Sequence, residues 1–221
     1  MRASIVLAIL LAVPGLSYGQ RSISGDRAES WEFSVGAIYQ DGERTGGDGG
    51  SSLQIDSEIG LAFNIGYNFS DKLALSGDFD YLRPDYTAVL ADATDPTNTR
   101  QVSHSAEQFN ARFKGTYNFV DGPVTPFVEI GFGWTYLDSN VVSGPPVTGC
   151  WYHPLWGYIC QNYYNTFSST EFSYGASVGV RFELGTGSFI RASYSAYELD
   201  ISGDAVKPEL TSYKLEYGWR F

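Results

Sequence analysis

Charge is scarce in this 221-residue sequence: Asp, Glu, Lys and Arg make up 18% of it, against about 25% in an ordinary soluble domain. A chain so poor in charge and so rich in aromatics (16%) and Gly (25 residues) is neither a disordered segment nor a coiled coil. Bases are scarcer than acids, 14 against 25, for a formal net charge of −11. A nucleic-acid binder needs a basic face to neutralise phosphates, so that class is excluded. Long apolar runs are absent as well. Nothing approaches the roughly 20 consecutive apolar residues of a membrane-spanning helix. Cysteine is limited to two residues, Cys150 and Cys160.

The chain begins with Met1 and Arg2, an apolar stretch from Ile5 to Val13, and small residues at Ser17 and Gly19. A basic start, a short apolar core and small residues two apart predict a secretory signal peptide over residues 1–19, cleaved after Gly19. The mature domain then spans residues 20–221. Loss of Arg2 leaves it 13 bases against 25 acids, a charge of −12. In an exported chain two lone cysteines predict one disulfide, Cys150–Cys160. With only His104 and His153 available they make a poor zinc site, and no cofactor is expected.

Beyond Gln20 the dominant signal is alternation with period two. It occurs eight times: Trp31 to Tyr39, Ile59 to Phe69, Leu73 to Tyr81, Phe109 to Phe119, Val128 to Tyr136, Phe172 to Phe182, Ile190 to Ala196 and Tyr213 to Phe221. Each segment reads as a strand with one apolar and one polar face. Several have the 9 to 11 residues that cross a bilayer when tilted by about 45°. Tight turns at Ser70 to Lys72, Val120 to Thr125 and Gly185 to Gly187 alternate with longer links at Asp41 to Asp56, Pro84 to Ser105, Asp138 to Thr170 and Asp200 to Pro208. Short turns at one end and long loops at the other predict an all-β, eight-stranded antiparallel up-and-down barrel, with both termini on the short-turn side.

Volume decides which face points inward. Eight strands enclose an interior just wide enough for side chains, and the apolar face is crowded with Phe, Tyr, Trp, Ile and Leu. Only the face of Gly, Ser, Ala, Asn and Thr fits inside, so the apolar face must meet lipid. Rings near the strand ends, such as Trp31, Tyr39, Tyr67, Trp134 and Trp219, fit interfacial girdles, although aromatics favour strands generally. Mid-strand inward charges number six acids (Glu32, Asp78, Asp80, Glu129, Glu183, Glu216) and six bases (Arg112, Lys114, Arg181, Arg191, Lys214, Arg220). Because unpaired buried charge is costly, this predicts a paired, neutral lumen charge network, read as a structural plug ahead of a conducting pore because a barrel this narrow has little room for a wide channel.

The eight segments and the terminal run Tyr213-Lys214-Leu215-Glu216-Tyr217-Gly218-Trp219-Arg220-Phe221 resemble the small outer-membrane β-barrel superfamily, which includes the OmpA membrane domain, OmpX, OmpW and the opacity proteins. The resemblance implies a Gram-negative outer membrane, periplasmic termini, extracellular long loops, and contact with outer-membrane lipid and lipopolysaccharide. It implies that the aromatic C-terminus, Phe221, is read by the barrel-assembly machinery. The peptidoglycan-binding domain of OmpA is not expected.

Specific function should sit in the long loops. The longest carries Trp151, Tyr152, Trp156, Tyr158, Tyr163 and Tyr164 around the two cysteines, which reads either as a binding surface for an extracellular ligand or as a stapled hairpin that resists proteolysis. Loop acids such as Asp41, Glu43, Asp56 and Glu209 read as solvated groups, not a metal site. An enzyme would have to use Ser103-His104-Ser105 near Glu107, and these residues lack the His-x-Ser-Asn pattern of the lipid A deacylases. The expectation is therefore a non-enzymatic structural or surface-interaction barrel. A narrow porin is the alternative, and a lipid-modifying enzyme the third reading.

Overall fold

In a computed structural model, described here for residues 27–46, 52–91, 99–185, 187–200 and 208–221, every element is a β-strand. The expected signal peptide lies outside those residues. The strands are β1 (Ser30–Gln40), β2 (Glu43–Gly46), β3 (Ser52–Ile55), β4 (Glu58–Asn68), β5 (Leu73–Leu82), β6 (Asp85–Ala91), β7 (Thr99–Ser105), β8 (Glu107–Asn118), β9 (Val124–Val142), β10 (Val147–His153), β11 (Gly157–Tyr163), β12 (Thr166–Glu183), β13 (Ser188–Asp200) and β14 (Glu209–Arg220).

Eight of them close a barrel in the order β1-β14-β13-β12-β9-β8-β5-β4, with β4 returning to β1 and each pair antiparallel. All eight match the alternating segments. Closure removes the unpaired strand edge that hydrocarbon would penalise. At the seam Glu32 stands opposite Arg220 and Gln40 opposite Ser212. The first and last barrel strands are tied there at their short-turn end, the Trp31 N–H donating to the Phe221 carbonyl at 2.9 Å and the Phe221 N–H to the Trp31 carbonyl at 3.0 Å.

Parity along each strand separates two environments. Ile130 and Leu215 are 68% and 60% exposed, whereas their neighbours Glu129 and Glu216 are 1% and 2% exposed. In water this would be an inverted protein, but in lipid it is the arrangement that satisfies both faces. Outward rings of adjacent strands touch, as in Trp31 with Tyr67 (centroids 5.2 Å apart) and Tyr194 with Tyr213 (5.2 Å).

The long links carry more strand structure than the sequence predicted, beyond the stapled hairpin it offered as one reading of the longest. Three of them contain further strands. Strands β2, β3, β6 and β7 pair into one four-stranded sheet above the barrel, and β10 and β11 form a separate hairpin. Strands β9 and β12 run on beyond the rim, with a register irregularity between Thr166 and Ser168. The backbone groups of these links are satisfied by each other, which explains order where burial periodicity is missing.

Candidate functional site

Inside the barrel the inward charges meet as a ladder. At its centre Lys214 of β14 reaches across the lumen to β5, with Nζ 2.6 Å from Asp78 Oδ2 and 2.5 Å from Asp80 Oδ1. Arg112 of β8 holds Asp80 at 2.9 Å, and Lys114 lies between Asp78 (3.1 Å) and Glu129 of β9 (3.5 Å). Glu129 passes the chain to Arg191 of β13 at 3.4 Å, and Arg191 grips both oxygens of Glu216 at 2.9 and 3.1 Å. Four bases and four acids thus form one connected neutral group. Nearer the periplasm Arg181 of β12 pairs with Glu32 and Glu183, each at 2.7 Å. Arg220 is half-buried at this end, opposite Glu32 in register.

Arg27 completes the periplasmic end and has no counterpart in the sequence reading, because it precedes the first alternating segment. It is 3% exposed. Its guanidinium donates to the Val120 carbonyl (3.1 Å) and the Thr125 hydroxyl (3.3 Å), and it lies 3.8 Å from Glu183. A void of about 10 Å³ bordered by Glu32, Thr116, Arg181 and Arg191 is room for about one water.

Three inward rings pack under the guanidinium groups: Tyr197 at 4.1 Å from Arg112, Phe189 at 3.8 Å from Arg181, and Phe127 at 5.8 Å from Arg191. These are cation–π distances. Each ring occupies space left by a glycine. A Cβ at Gly218 would stand 2.3 Å from the Phe189 ring, one at Gly179 2.4 Å from Phe127, and one at Gly131 2.7 Å from the Tyr197 hydroxyl. Tyr197 falls on the polar face by parity, but Phe127 and Phe189 lie one residue ahead of the alternating segments, and neither their burial in a lumen expected to hold only small and polar side chains nor their partnership with glycines on other strands was read from the sequence. Above the ladder Gln40 and Gln108 exchange amide hydrogen bonds across the lumen at 3.1 and 2.9 Å. Thr135 ties Asn110 to the same layer.

The hairpin of β10 and β11 stands apart from the barrel. Cys150 and Cys160 face each other in register and are joined by a disulfide. Tyr152, Leu155, Trp156 and Tyr158 are 68 to 79% exposed, and Trp151 and Tyr164 are exposed to a lesser degree. The backbone of Tyr163 pairs with Val147. At the tip His153 accepts the Leu155 N–H through Nδ1 at 3.2 Å and stacks on Trp156 at 4.4 Å.

His104 and its flanking serines lie on β7, where successive side chains point to opposite faces. Ser103 bonds the Thr87 hydroxyl at 3.1 Å, and His104 faces away from both serines, so this trio has no nucleophile and base in reach of each other. Among the described residues no group of three or more His, Cys, Asp or Glu could hold a metal ion. Above the girdle, hydrogen bonds from the Thr166 hydroxyl, the Asn140 N–H and the Tyr136 phenol hold the Asp138 carboxyl below the usual range.

A closed eight-stranded barrel, apolar outside and filled with paired charge, defines an outer-membrane protein of the small-barrel class. A family model for the outer membrane protein beta-barrel domain matches residues 6–221, and the chain belongs to that family. Solved structures share the fold at low identity. The attachment invasion locus protein Ail of Yersinia pestis, in a complex with the heparin analogue sucrose octasulfate, is 14% identical with a TM-score of 0.52, over 88% of this chain and 99% of that one. The outer membrane protein OprG of Pseudomonas aeruginosa is 13% identical with a TM-score of 0.51, over 90% and 98%. Neisserial surface protein A is 14% identical with a TM-score of 0.50, over 86% and 95%. No curated protein matches the sequence.

Proposed function

We propose that the protein is a non-enzymatic surface-interaction barrel whose adhesive element is the stapled β10–β11 hairpin. The observation that carries this reading is a contrast in charge. Between Asp138 and Glu171 there is no Asp, Glu, Lys or Arg, in a chain with a net charge of −11. Within that uncharged stretch Trp156 and Tyr158 are 72% and 77% exposed. Trp and Tyr supply much of the energy of binding surfaces at low entropic cost, and exposed rings on a rigid hairpin serve no purpose in packing the barrel.

The partner is accordingly an uncharged or amphipathic surface. A sulfated polyanion such as the one bound to Ail finds no bases on this arm. The porin reading has less support, since the paired charges occupy the lumen. Lipopolysaccharide surrounds the outer leaflet face, and Phe221 serves as the signal for the assembly machinery.

Replacing residues 150–160 by a short turn tests the adhesive role. Cells displaying the shortened protein should lose most of their binding to host-cell surfaces while the barrel still assembles, as judged by heat-modifiable migration in gels. Unchanged binding would overturn the proposal.

A further inference from the structure

The β10–β11 hairpin is apolar on both of its faces. Opposed residues of an antiparallel pair share a face, and successive pairs alternate between faces. Trp151 stands opposite Ile159 on one face and Tyr152 opposite Tyr158 on the other, the two phenol rings 6.4 Å apart. Leu155 and Trp156 cap the turn between the strands, and both are well exposed. A patch that docks on one protein needs apolar groups only on the docking side. Apolar groups all round suit an element that enters an apolar medium, as they do for a helix.

Polarity also changes along the hairpin. Beyond the disulfide, Gly149 faces Gln161, and the Thr148 hydroxyl donates to Asn162 Oδ1 at 2.8 Å. From Trp151 to Pro154 the chain advances about 10 Å at the rise of a strand. Amphipathic elements sink about 5–10 Å into a bilayer interface, and Trp and Tyr are enriched at that level. The hairpin pairs with no other strand, so the backbone groups along its two edges need water, which the hydrocarbon core lacks. Entry therefore stops among the headgroups.

Charge selects the kind of bilayer. Between Asp138 and Glu171 no base is present to meet an anionic headgroup, and the net charge of −11 opposes approach to an anionic surface. Strands β9 and β12 stay paired as far as Val142 and Thr166, past the Glu107–Asp138 pair where β8 begins, and so carry the hairpin beyond the rim. We infer that the hairpin is an interfacial anchor whose ringed tip inserts into a second, zwitterionic phospholipid bilayer apposed to the one that holds the barrel. This rests on the adhesive reading and names its partner as lipid.

The test mixes the full mature barrel, held in an amphipathic polymer, with phosphatidylcholine vesicles. The protein should float with the vesicles, and lipid brominated at shallow acyl positions should quench its tryptophan fluorescence. Leu155→Ser with Trp156→Ser should weaken vesicle binding at least tenfold, since burying one large apolar side chain is worth about a factor of ten or more. Tyr152→Ser with Tyr158→Ser should act likewise. Both pairs lie outside the barrel, whose heat-modifiable migration should not change. Adding phosphatidylserine to the vesicles should weaken binding, and tighter binding to such vesicles would overturn the proposal. Vesicle binding that survives replacement of residues 150–160 would place the contact on the barrel and would overturn it too. No vesicle binding by the intact protein would also overturn it; the cell-binding assay of that same replacement would then decide the adhesive reading separately, with a protein or a neutral glycan as the partner.

Discussion

Gly218 of β14 stands directly opposite Phe189 of β13 in the ladder, and the Phe189 ring lies over the backbone where a side chain would otherwise stand. The Arg181 guanidinium also lies over this ring, 3.8 Å from its centre. One missing Cβ therefore positions a ring, and the ring positions a charge that Glu32 and Glu183 then bind. Burying an arginine without such support would cost several kcal/mol. Gly218→Ala should destabilise the barrel by about 1–3 kcal/mol, the usual cost of overpacking, because the new methyl would fall 2.3 Å from the ring. Phe189→Leu in the same chain should relieve part of that loss. Urea unfolding in lipid vesicles, followed by tryptophan fluorescence, measures both; equal destabilisation in the single and double variants would show that the ring does not depend on the glycine.

Elements differ in how much structure their own residues announce. The barrel strands are legible because lipid on one side and a packed lumen on the other impose period two at every position. β8, for instance, alternates without a break from Gln108 to Asn118. Strand β7 reads Thr-Arg-Gln-Val-Ser-His-Ser and has no such constraint, since it lies above the membrane and is held by backbone pairing with β6. The space of about 330 Å³ lined by Leu53, Leu137 and Phe167 was equally hidden, because these residues come from three strands and none is unusual in its own segment. Arg27 escaped notice because it lies ahead of any periodic pattern. Of the candidate residues, the inward charges could be placed by parity alone, but which acid meets which base depends on contacts across the lumen between strands that are not neighbours.

The β10–β11 hairpin was legible only through its cysteines. Its strands pair with each other and with no barrel strand, so its order rests on local hydrogen bonds and the single crosslink. A two-stranded hairpin alone is marginal in water. Cys150→Ser with Cys160→Ser should leave urea unfolding of the barrel unchanged while opening the hairpin, with a loss of local stability of about 2–3 kcal/mol for so short a loop. Limited chymotrypsin digestion should then cut at Trp151 to Tyr158 far faster than in the disulfide-bonded protein. Equal cleavage rates would show that the hairpin is held by something other than the crosslink.

For the molecule as a whole, the distribution of charge separates two tasks. The central ladder joins Arg112, Lys114, Arg191 and Lys214 to Asp78, Asp80, Glu129 and Glu216, so it is neutral within itself, and the excess of acid in the chain lies elsewhere. Neutral closure lets a narrow barrel bury eight charges, since each ion is solvated by its partners in place of water. Lys214 is the member that spans the lumen, touching both aspartates of the opposite wall. Lys214→Met should therefore cost about 3–5 kcal/mol by leaving one acid in excess. Adding Asp78→Asn restores the balance and should recover at least half of that loss, since contacting groups are not additive. The same closure bears on transport. Because the ladder, the Gln40–Gln108 pair and Arg27 succeed one another along the axis, the unaltered protein in a planar bilayer should show no stable unit conductance. A reproducible single-channel step would mean that the ladder opens, and the barrel would then have to be read as a gated pore whose paired charges are its gate.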